Sequence, residues 1–174
     1  SEVLNTLEIN NSKLFVGTND GKVMKLENSN GNQISYCDTT EYSVKDLDTY
    51  NDSLYIATWK GSYHDEAKIH GLKFDDFEIY PNYILEKQIN HKPIFEINVT
   101  LNYIYLTAVD KIMQIDKNDG QIYWEDSYSS IYSLAFKNQN NIYFSTGEQM
   151  RKIKVGANAS DWYEGYHSQN ITDI

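Results

Sequence analysis

Two histidines and two carboxylates in one short stretch are the residues best suited to metal chemistry. His64, Asp65 and Glu66 are consecutive, and His70 follows four residues after Glu66. A zinc-binding helix of the His-Glu-x-x-His type needs a different spacing, with its two histidines one helical turn apart. The stretch also falls where we predict a long hairpin loop. We therefore interpret it as a solvated polar loop and expect no bound metal.

Two further patterns are weaker candidates for chemistry. The run from Asp116 to Gly120 is similar to the start of a calcium loop, but its glycine comes one residue early and the distal glutamate is absent. Cys37 lies in a turn-like context with no histidine near it, and the chain lacks a Gly-x-Ser-x-Gly elbow, a phosphate-binding glycine loop and paired cysteines. The sequence therefore predicts a hairpin turn at Gly120, no catalytic residue and no cofactor.

A hairpin near the start of the chain shows the element that is repeated. Residues 14–18 and 22–26 are apolar strand patterns, and Asn19-Asp20-Gly21 between them supplies the residues that a tight turn needs at positive φ. The first strand pattern recurs at residues 54–58, 104–108 and 142–146. Each copy is preceded by two apolar residues three positions apart. These four pairs are Leu4/Leu7, Val44/Leu47, Ile94/Ile97 and Ile131/Leu134, and a fifth such pair occurs at Ile171/Ile174.

A repeat of roughly 40 residues with four short strands is typical of a β-propeller. One such blade has two apolar faces and no core of its own, so blades stack and bury those faces against each other. The pattern predicts an all-β fold of four four-stranded repeats plus the start of a fifth, in one domain spanning 1–174. The predicted repeats are about 2–40, 41–91, 92–128 and 129–168, with a stub at 169–174. A solenoid and a sandwich are the alternatives.

Two propeller families resemble parts of this sequence. Residues 131–155 resemble a WD40 repeat, although the diagnostic Gly-His and Trp-Asp dipeptides are absent. Residues 112–124 resemble a PQQ-like (quinoprotein-type) repeat, in which Asp116, Gly120 and Trp124 match the aspartate, the turn glycine and the closing tryptophan. The resemblance implies that Trp124 docks onto a neighbouring blade. Because only one outer hairpin matches, we expect no quinone cofactor.

The number of repeats leaves ring closure open. The families that this chain resembles generally have seven or eight blades, so the resemblance implies part of a larger propeller, or one completed by a partner. The alternative is a closed four-bladed ring in which the strand near Ile171 helps to clasp the ends. An open row of blades would expose an apolar face and associate readily.

Composition limits the kinds of partner. The chain has 40% hydrophobic residues, 15 tyrosines, 2 prolines and a net charge of −10. An acidic protein does not suit a nucleic-acid backbone, so we expect no nucleic acid as partner. No segment has the roughly 18 apolar residues that a membrane span needs. The lone Cys37 allows no internal disulfide, which favours a reducing, intracellular compartment.

Two classes of function fit this sequence. The first is a non-catalytic scaffold that binds a protein partner or additional blades. Its predicted contact residues lie in the elaborated second repeat: Trp59, Tyr63, His64, Asp65, Glu66, Tyr80 and Tyr83. The second is an enzyme, or a small-ligand or cation-binding propeller, that acts at the channel mouth. Its predicted channel-lining residues are Thr6, Asp46, Glu96, Ser133 and Asp173.

Overall fold

The described part of the chain is built almost entirely from β-strands. A computed structural model describes residues 3–10, 12–39, 42–61, 66–79, 83–89, 94–127, 131, 133–138, 141–146, 149–154 and 165–166. They form four antiparallel sheets of four strands, and strands that follow each other in sequence are neighbours in each sheet. The all-β class and the four-stranded blades predicted from the sequence are confirmed.

The first compact unit comprises residues 1–94 with 118–120 and contains sheets 1 and 2. The strands of sheet 1 are β1 (Leu4–Asn10), β2 (Lys13–Thr18), β3 (Lys22–Glu27) and β4 (Gln33–Asp38). The strands of sheet 2 are β5 (Ser43–Tyr50), β6 (Ser53–Trp59), β7 (Ala67–Lys73) and β8 (Leu85–Ile89). A 3-10 helix at Phe74–Asp76 begins the connection from β7 to β8.

The second compact unit comprises residues 95–117 and 121–174 and contains most of sheet 3 together with sheet 4. The strands of sheet 3 are β9 (Ile94–Val99), β10 (Tyr103–Ala108), β11 (Lys111–Asp116) and β12 (Ile122–Ser127). The strands of sheet 4 are β13 (Ser133–Asn138), β14 (Asn141–Thr146), β15 (Gln149–Lys154) and β16 (Gly165–Tyr166). The predicted start of a fifth repeat lies outside the described residues.

The turn between β2 and β3 shows why this sequence forms a tight hairpin. Gly21 has a φ of 90°, which only glycine adopts without strain. The Thr18 hydroxyl donates to the Asp20 carboxylate at 2.5 Å and accepts from the Lys22 N–H at 3.0 Å. A Cβ at position 21 would lie 2.7 Å from the Tyr42 carbonyl oxygen. These bonds stabilise the turn, so its polar residues have a structural role. Gly120 also has a positive φ, of 70°, after the turn that follows β11.

Sheets 1 and 2 pack face to face to form the core of the first unit. Gly17 allows their close approach, because a Cβ at that position would overlap the Val44 side chain. Burying such apolar faces removes them from water and supplies most of the stability. Buried side chains from both sheets form this core: Phe15, Val23, Cys37, Val44, Leu47, Leu54, Ile56, Leu72 and Phe77.

Polar bonds join the first strands of these two sheets. The Thr6 hydroxyl donates to the Asp46 carboxylate at 3.2 Å. The Thr49 hydroxyl donates to Glu8 at 2.8 Å and accepts from the Asn10 amide at 3.0 Å. One side of β1 therefore bonds to β5 along its length, and this fixes the register of the two sheets.

The second unit has its own apolar cluster. Trp124, the residue that matches the closing tryptophan of the PQQ-like repeat, packs partly buried against it. The buried members of the cluster are Tyr105, Ile112, Ile131, Ile142 and Phe144.

Candidate protein-interaction site

A groove lies along the outer edge of sheet 1. It has a volume of about 490 Å³ and is formed by residues 33–36 of β4 on one side and by Glu78 and Ile79 on the other. This volume lies within the range of ligand-binding clefts, roughly 300–1,000 Å³. β4 is the last strand in the order of sheet 1, so its outer edge forms the wall of the groove.

The far wall is held in place by the segment that begins with the 3-10 helix. The Lys25 ammonium donates to the Phe74 carbonyl at 2.8 Å and lies 5.7 Å from the centre of the Phe77 ring. The Phe15 ring packs against both phenylalanines, with centroid distances of 5.1 Å to Phe74 and 5.7 Å to Phe77. Sheet 1 therefore positions this connection of sheet 2, and with it Glu78 and Ile79.

One backbone hydrogen bond closes the end of the groove. The Asp38 N–H donates to the Ile79 carbonyl at 3.0 Å, so it points away from β3. Successive residues of a strand alternate in the direction of their backbone groups. The N–H and C=O of Tyr36, two residues before Asp38, therefore also face the groove.

The groove has an apolar and an acidic component. Ile34 and Ile79, from different segments, are 44% and 43% exposed. Ile34 also lies where the register between β3 and β4 shifts, which marks a β-bulge. Glu78 is exposed on the far wall, whereas the Lys25 ammonium is bonded and burial lowers its pKa. An apolar surface with an acidic rim can bind apolar and basic side chains.

The structure places three of the seven predicted contact residues. Trp59 ends β6, half-buried, with the Lys45 ammonium 5.2 Å from its ring centre. Glu66 accepts a hydrogen bond of 2.7 Å from the Tyr42 hydroxyl. Tyr83, four residues after Ile79, is partly buried and packs against the core of the first unit. Tyr63, His64, Asp65 and Tyr80 lie outside the described residues.

His70 is buried in the core of sheet 2. It is 2% exposed, its ring centre lies 4.6 Å from that of Tyr83, and its Nε2 lies 3.4 Å from the Thr58 hydroxyl. Burial lowers its pKa to about 4, so the ring is neutral at physiological pH. Within the described ranges, no group of three or more His, Cys, Asp or Glu side chains is arranged to hold a metal.

Of the predicted channel-lining residues, the structure brings Thr6 and Asp46 together through their hydrogen bond. Glu96 is half-buried in β9 and Ser133 begins β13, both in the second unit. Asp173 lies outside the described residues.

Cys37 is a core residue. It lies in β4 and not in the turn-like context that its neighbours in sequence indicate, and it is fully buried. Burial raises the pKa of its thiol to about 12, which keeps the sulfur protonated and unreactive.

The outer face of sheet 1 is an exposed apolar surface. Leu4, Leu7 and Ile9 of β1 are 62%, 64% and 54% exposed. The corresponding residues of sheet 2, Val44 and Leu47, are buried against sheet 1. Identical sequence patterns therefore have different environments, depending on whether a sheet covers them.

Several solved structures have a fold similar to that of this chain. The designed protein Ika8 superimposes with a TM-score of 0.78 at 13% identity, over 98% of this chain and 51% of its own length. The designed protein Ika4 superimposes with a TM-score of 0.70 at 15% identity, over 88% of this chain and 92% of its own length. BamB from Moraxella catarrhalis, a β-propeller protein, superimposes with a TM-score of 0.73 at 10% identity, over 97% of this chain and 52% of its own length. This chain has a β-propeller fold.

These likenesses concern fold alone, because all three identities are low. The chain spans about half the length of Ika8 and BamB and most of Ika4. No protein-family model and no curated protein matches it. In the part of the chain that the structure describes, no helix is long and apolar enough to cross a membrane.

The sequence indicates the elaborated second repeat but not the groove. Its pattern predicts only a weak outer strand around residues 33–36, a short stretch from Phe77 to Tyr80 and an extra segment from Tyr83 to Ile89. The available signal is the pair of isoleucines, Ile34 and Ile79, each among polar neighbours. Nothing in their sequence separation places them on one groove, because that depends on where residues 74–79 fold back.

Proposed function

We propose that this protein is a non-catalytic scaffold that binds a protein partner at the groove between β4 and residues 78–79. The observation that carries the proposal is the pair Ile34 and Ile79, two exposed aliphatic side chains that line one concave surface. Concave apolar surfaces with a polar rim are typical of interaction sites. The fold is compatible with this role but does not by itself specify it.

The contact region extends in this proposal to the predicted residues of the second repeat. Tyr80 and Tyr83 follow Glu78 and Ile79 in the same connection between β7 and β8, and the proposal includes them as further contacts on the basis of the sequence. The proposal also includes Trp59, Tyr63, His64, Asp65 and Glu66 as a second contact, because the sequence pattern predicts a long hairpin loop there. Aromatic side chains of this kind supply large contact areas at interfaces.

A selection experiment tests the groove and does not require the partner to be identified. A library of displayed 12-residue peptides is selected on the wild-type protein, and the selected peptides are synthesised and titrated against Ile79→Asp. We expect at least a tenfold loss of affinity, because a charge replaces the apolar wall. Ile122→Asp is the matched control, since Ile122 is also 43% exposed and lies in the outer strand of sheet 3.

Equal binding to both variants and the wild type would exclude the groove as the binding site. Circular dichroism of both variants establishes that they are folded to the same extent. A loss confined to Ile79→Asp supports the proposal.

The alternative function at the channel mouth has less support. The Asp46 carboxylate that it needs already accepts a hydrogen bond from Thr6 of the neighbouring sheet. A thermal-shift titration with calcium and magnesium chloride, compared between wild type and Asp46→Asn, tests it directly, because binding to the native state raises its melting temperature.

We also propose that the outer face of sheet 1 is covered by another propeller blade, which a second copy provides when this chain is isolated. Two observations support it: Leu7 is exposed where its counterpart Leu47 is packed against a sheet, and the chain spans about half of Ika8 and BamB. Membership of the WD40-like and PQQ-like superfamily, which the position of Trp124 supports, is part of the same proposal.

A further inference from the structure

We infer that the groove binds its partner by strand addition, in which an extended segment with alternating apolar and basic side chains pairs with β4 as a fifth strand. The inference rests on the proposed function and specifies the kind of partner. It follows from the backbone geometry of β4, from the segment already bonded to one end of that strand, and from the side chains around the groove.

β4 is the terminal strand of sheet 1 and pairs with β3 through Val23–Cys37 and Lys25–Ser35 among other partners. The outward N–H of Asp38 fixes which residues of β4 face away from β3, and Tyr36 is one of them. Among the described residues no backbone partner is found for the Tyr36 N–H. An edge with such groups is a template for another strand.

The Ile79 carbonyl already stands where a fifth strand would be. It accepts the Asp38 N–H at 3.0 Å, so a chain segment occupies the end of the edge beside Asp38. Residues 33–36 line the rest of the groove and are the positions with which a partner strand would pair. At about 3.3 Å per residue, these four positions span roughly 13 Å of the edge, and regular strand pairing is expected from Tyr36, beyond the β-bulge at Ile34.

The side chains specify the composition of the added segment. Alternate side chains of a strand point to the same face, so every second residue of the partner can lie between Ile34 and Ile79. Both are exposed enough to lose substantial apolar area on binding. The partner residues in between meet the rim, where Glu78 is exposed.

Charge favours basic residues at those intervening positions. The protein carries a net charge of −10, which attracts a cationic segment over a distance. Lys25 is not among the residues that line the groove, and its ammonium is held at the Phe74 carbonyl. A surface ion pair with Glu78 contributes more to selectivity and association rate than to affinity.

Synthetic peptides test this inference directly. The probe is a fluorescent eight-residue peptide of alternating valine and lysine, and its counterpart alternates valine and glutamate. By fluorescence anisotropy at low salt, we expect the lysine peptide to bind the wild-type protein at least tenfold more tightly. Ile34→Asp should lose this binding, whereas Ile122→Asp should keep it.

Backbone methylation distinguishes strand addition from side-chain docking. In an alternating peptide, all valine N–H groups face one side of the strand and all lysine N–H groups face the other. We therefore expect N-methylation of one set to abolish binding and N-methylation of the other set to leave it within about threefold, as one-sided pairing requires.

Other results would contradict strand addition, the inferred composition of the partner or the proposed function. If both methylated peptides bind like the parent peptide, strand addition is wrong, although the groove still binds side chains and the proposed function stands. If the lysine peptide does not bind the wild type, the inferred partner is wrong, while the library selection decides the scaffold function separately. Failure of both experiments contradicts the proposed function itself.

Discussion

Leu7 and Leu47 occupy the same position in neighbouring sheets, but the Leu7 side chain is 64% exposed and the Leu47 side chain only 4%. Leu7 pairs with Val16 across β1 and β2, and Leu47 pairs with Ile56 across β5 and β6. The residue type and the register are the same. The difference is that sheet 1 covers Leu47, whereas no described element covers Leu7 to the same extent.

The two leucines should respond differently to truncation. We expect Leu47→Ala to lower the free energy of unfolding by about 3 kcal/mol, because it leaves a cavity between two sheets. Leu7→Ala should lower it by less than about 1 kcal/mol, because its side chain is already in water. Urea unfolding measures both values under one condition, and similar losses at the two positions would contradict the different burial of the two side chains.

The exposed face of sheet 1 predicts self-association of the isolated chain. Sedimentation velocity should show a dimer at micromolar concentration, because a second copy buries Leu4, Leu7 and Ile9. Leu7→Glu should give a monomer of unchanged circular dichroism. A wild-type protein that remains monomeric at all concentrations would rule out the second copy as the covering blade, and the matched variant Ile122→Glu should remain dimeric.

Gly17 should not tolerate a side chain while Val44 is present. A Cβ at position 17 overlaps Val44, so we expect Gly17→Ala to lower the free energy of unfolding by about 1–3 kcal/mol. The double variant Gly17→Ala/Val44→Ala should be more stable than the sum of the two single changes predicts, because the second change removes the overlap. Additive effects in this double-mutant cycle, measured in urea, would show that the two residues do not compete for space.

Burial of His70 predicts a loss of stability in mild acid. Its pKa is lowered to about 4 in the folded protein, compared with about 6.5 in an unfolded chain. Between these pH values the unfolded state binds a proton that the folded state does not, so stability falls as the pH decreases from about 6.5 to about 4. The full loss is on the order of 3 kcal/mol.

The variant His70→Phe isolates this effect from other titrating groups. It keeps a ring against Tyr83 and removes the titration, so its stability should fall less than that of the wild type. Urea unfolding at pH 7 and at pH 4.5 measures both proteins. Equal losses of stability in the two proteins would mean that His70 does not contribute to the pH dependence.

The sequence predicts local structure here better than it predicts surfaces. The turn at Asn19-Asp20-Gly21 and the strands around it follow from local turn chemistry and from alternating apolar residues. The sequence pattern misplaces Cys37 in a turn, because its polar neighbours obscure a strand end. The groove could not be predicted, because the bond between Lys25 and Phe74 joins residues 49 positions apart. The sequence also cannot predict that Leu7 is exposed, because Leu47 has the same sequence pattern and is buried.

Hydrogen exchange at single amides of β4 tests strand addition at the groove most directly. In the free protein the Asp38 N–H is bonded to Ile79, and the Cys37 N–H faces β3, so both should exchange slowly, whereas the Tyr36 N–H should exchange fast. On saturation with the valine–lysine peptide, we expect exchange at Tyr36 to slow at least tenfold and exchange at Cys37 to change little. Unchanged exchange at Tyr36 in a protein saturated with the peptide would contradict a fifth strand on β4.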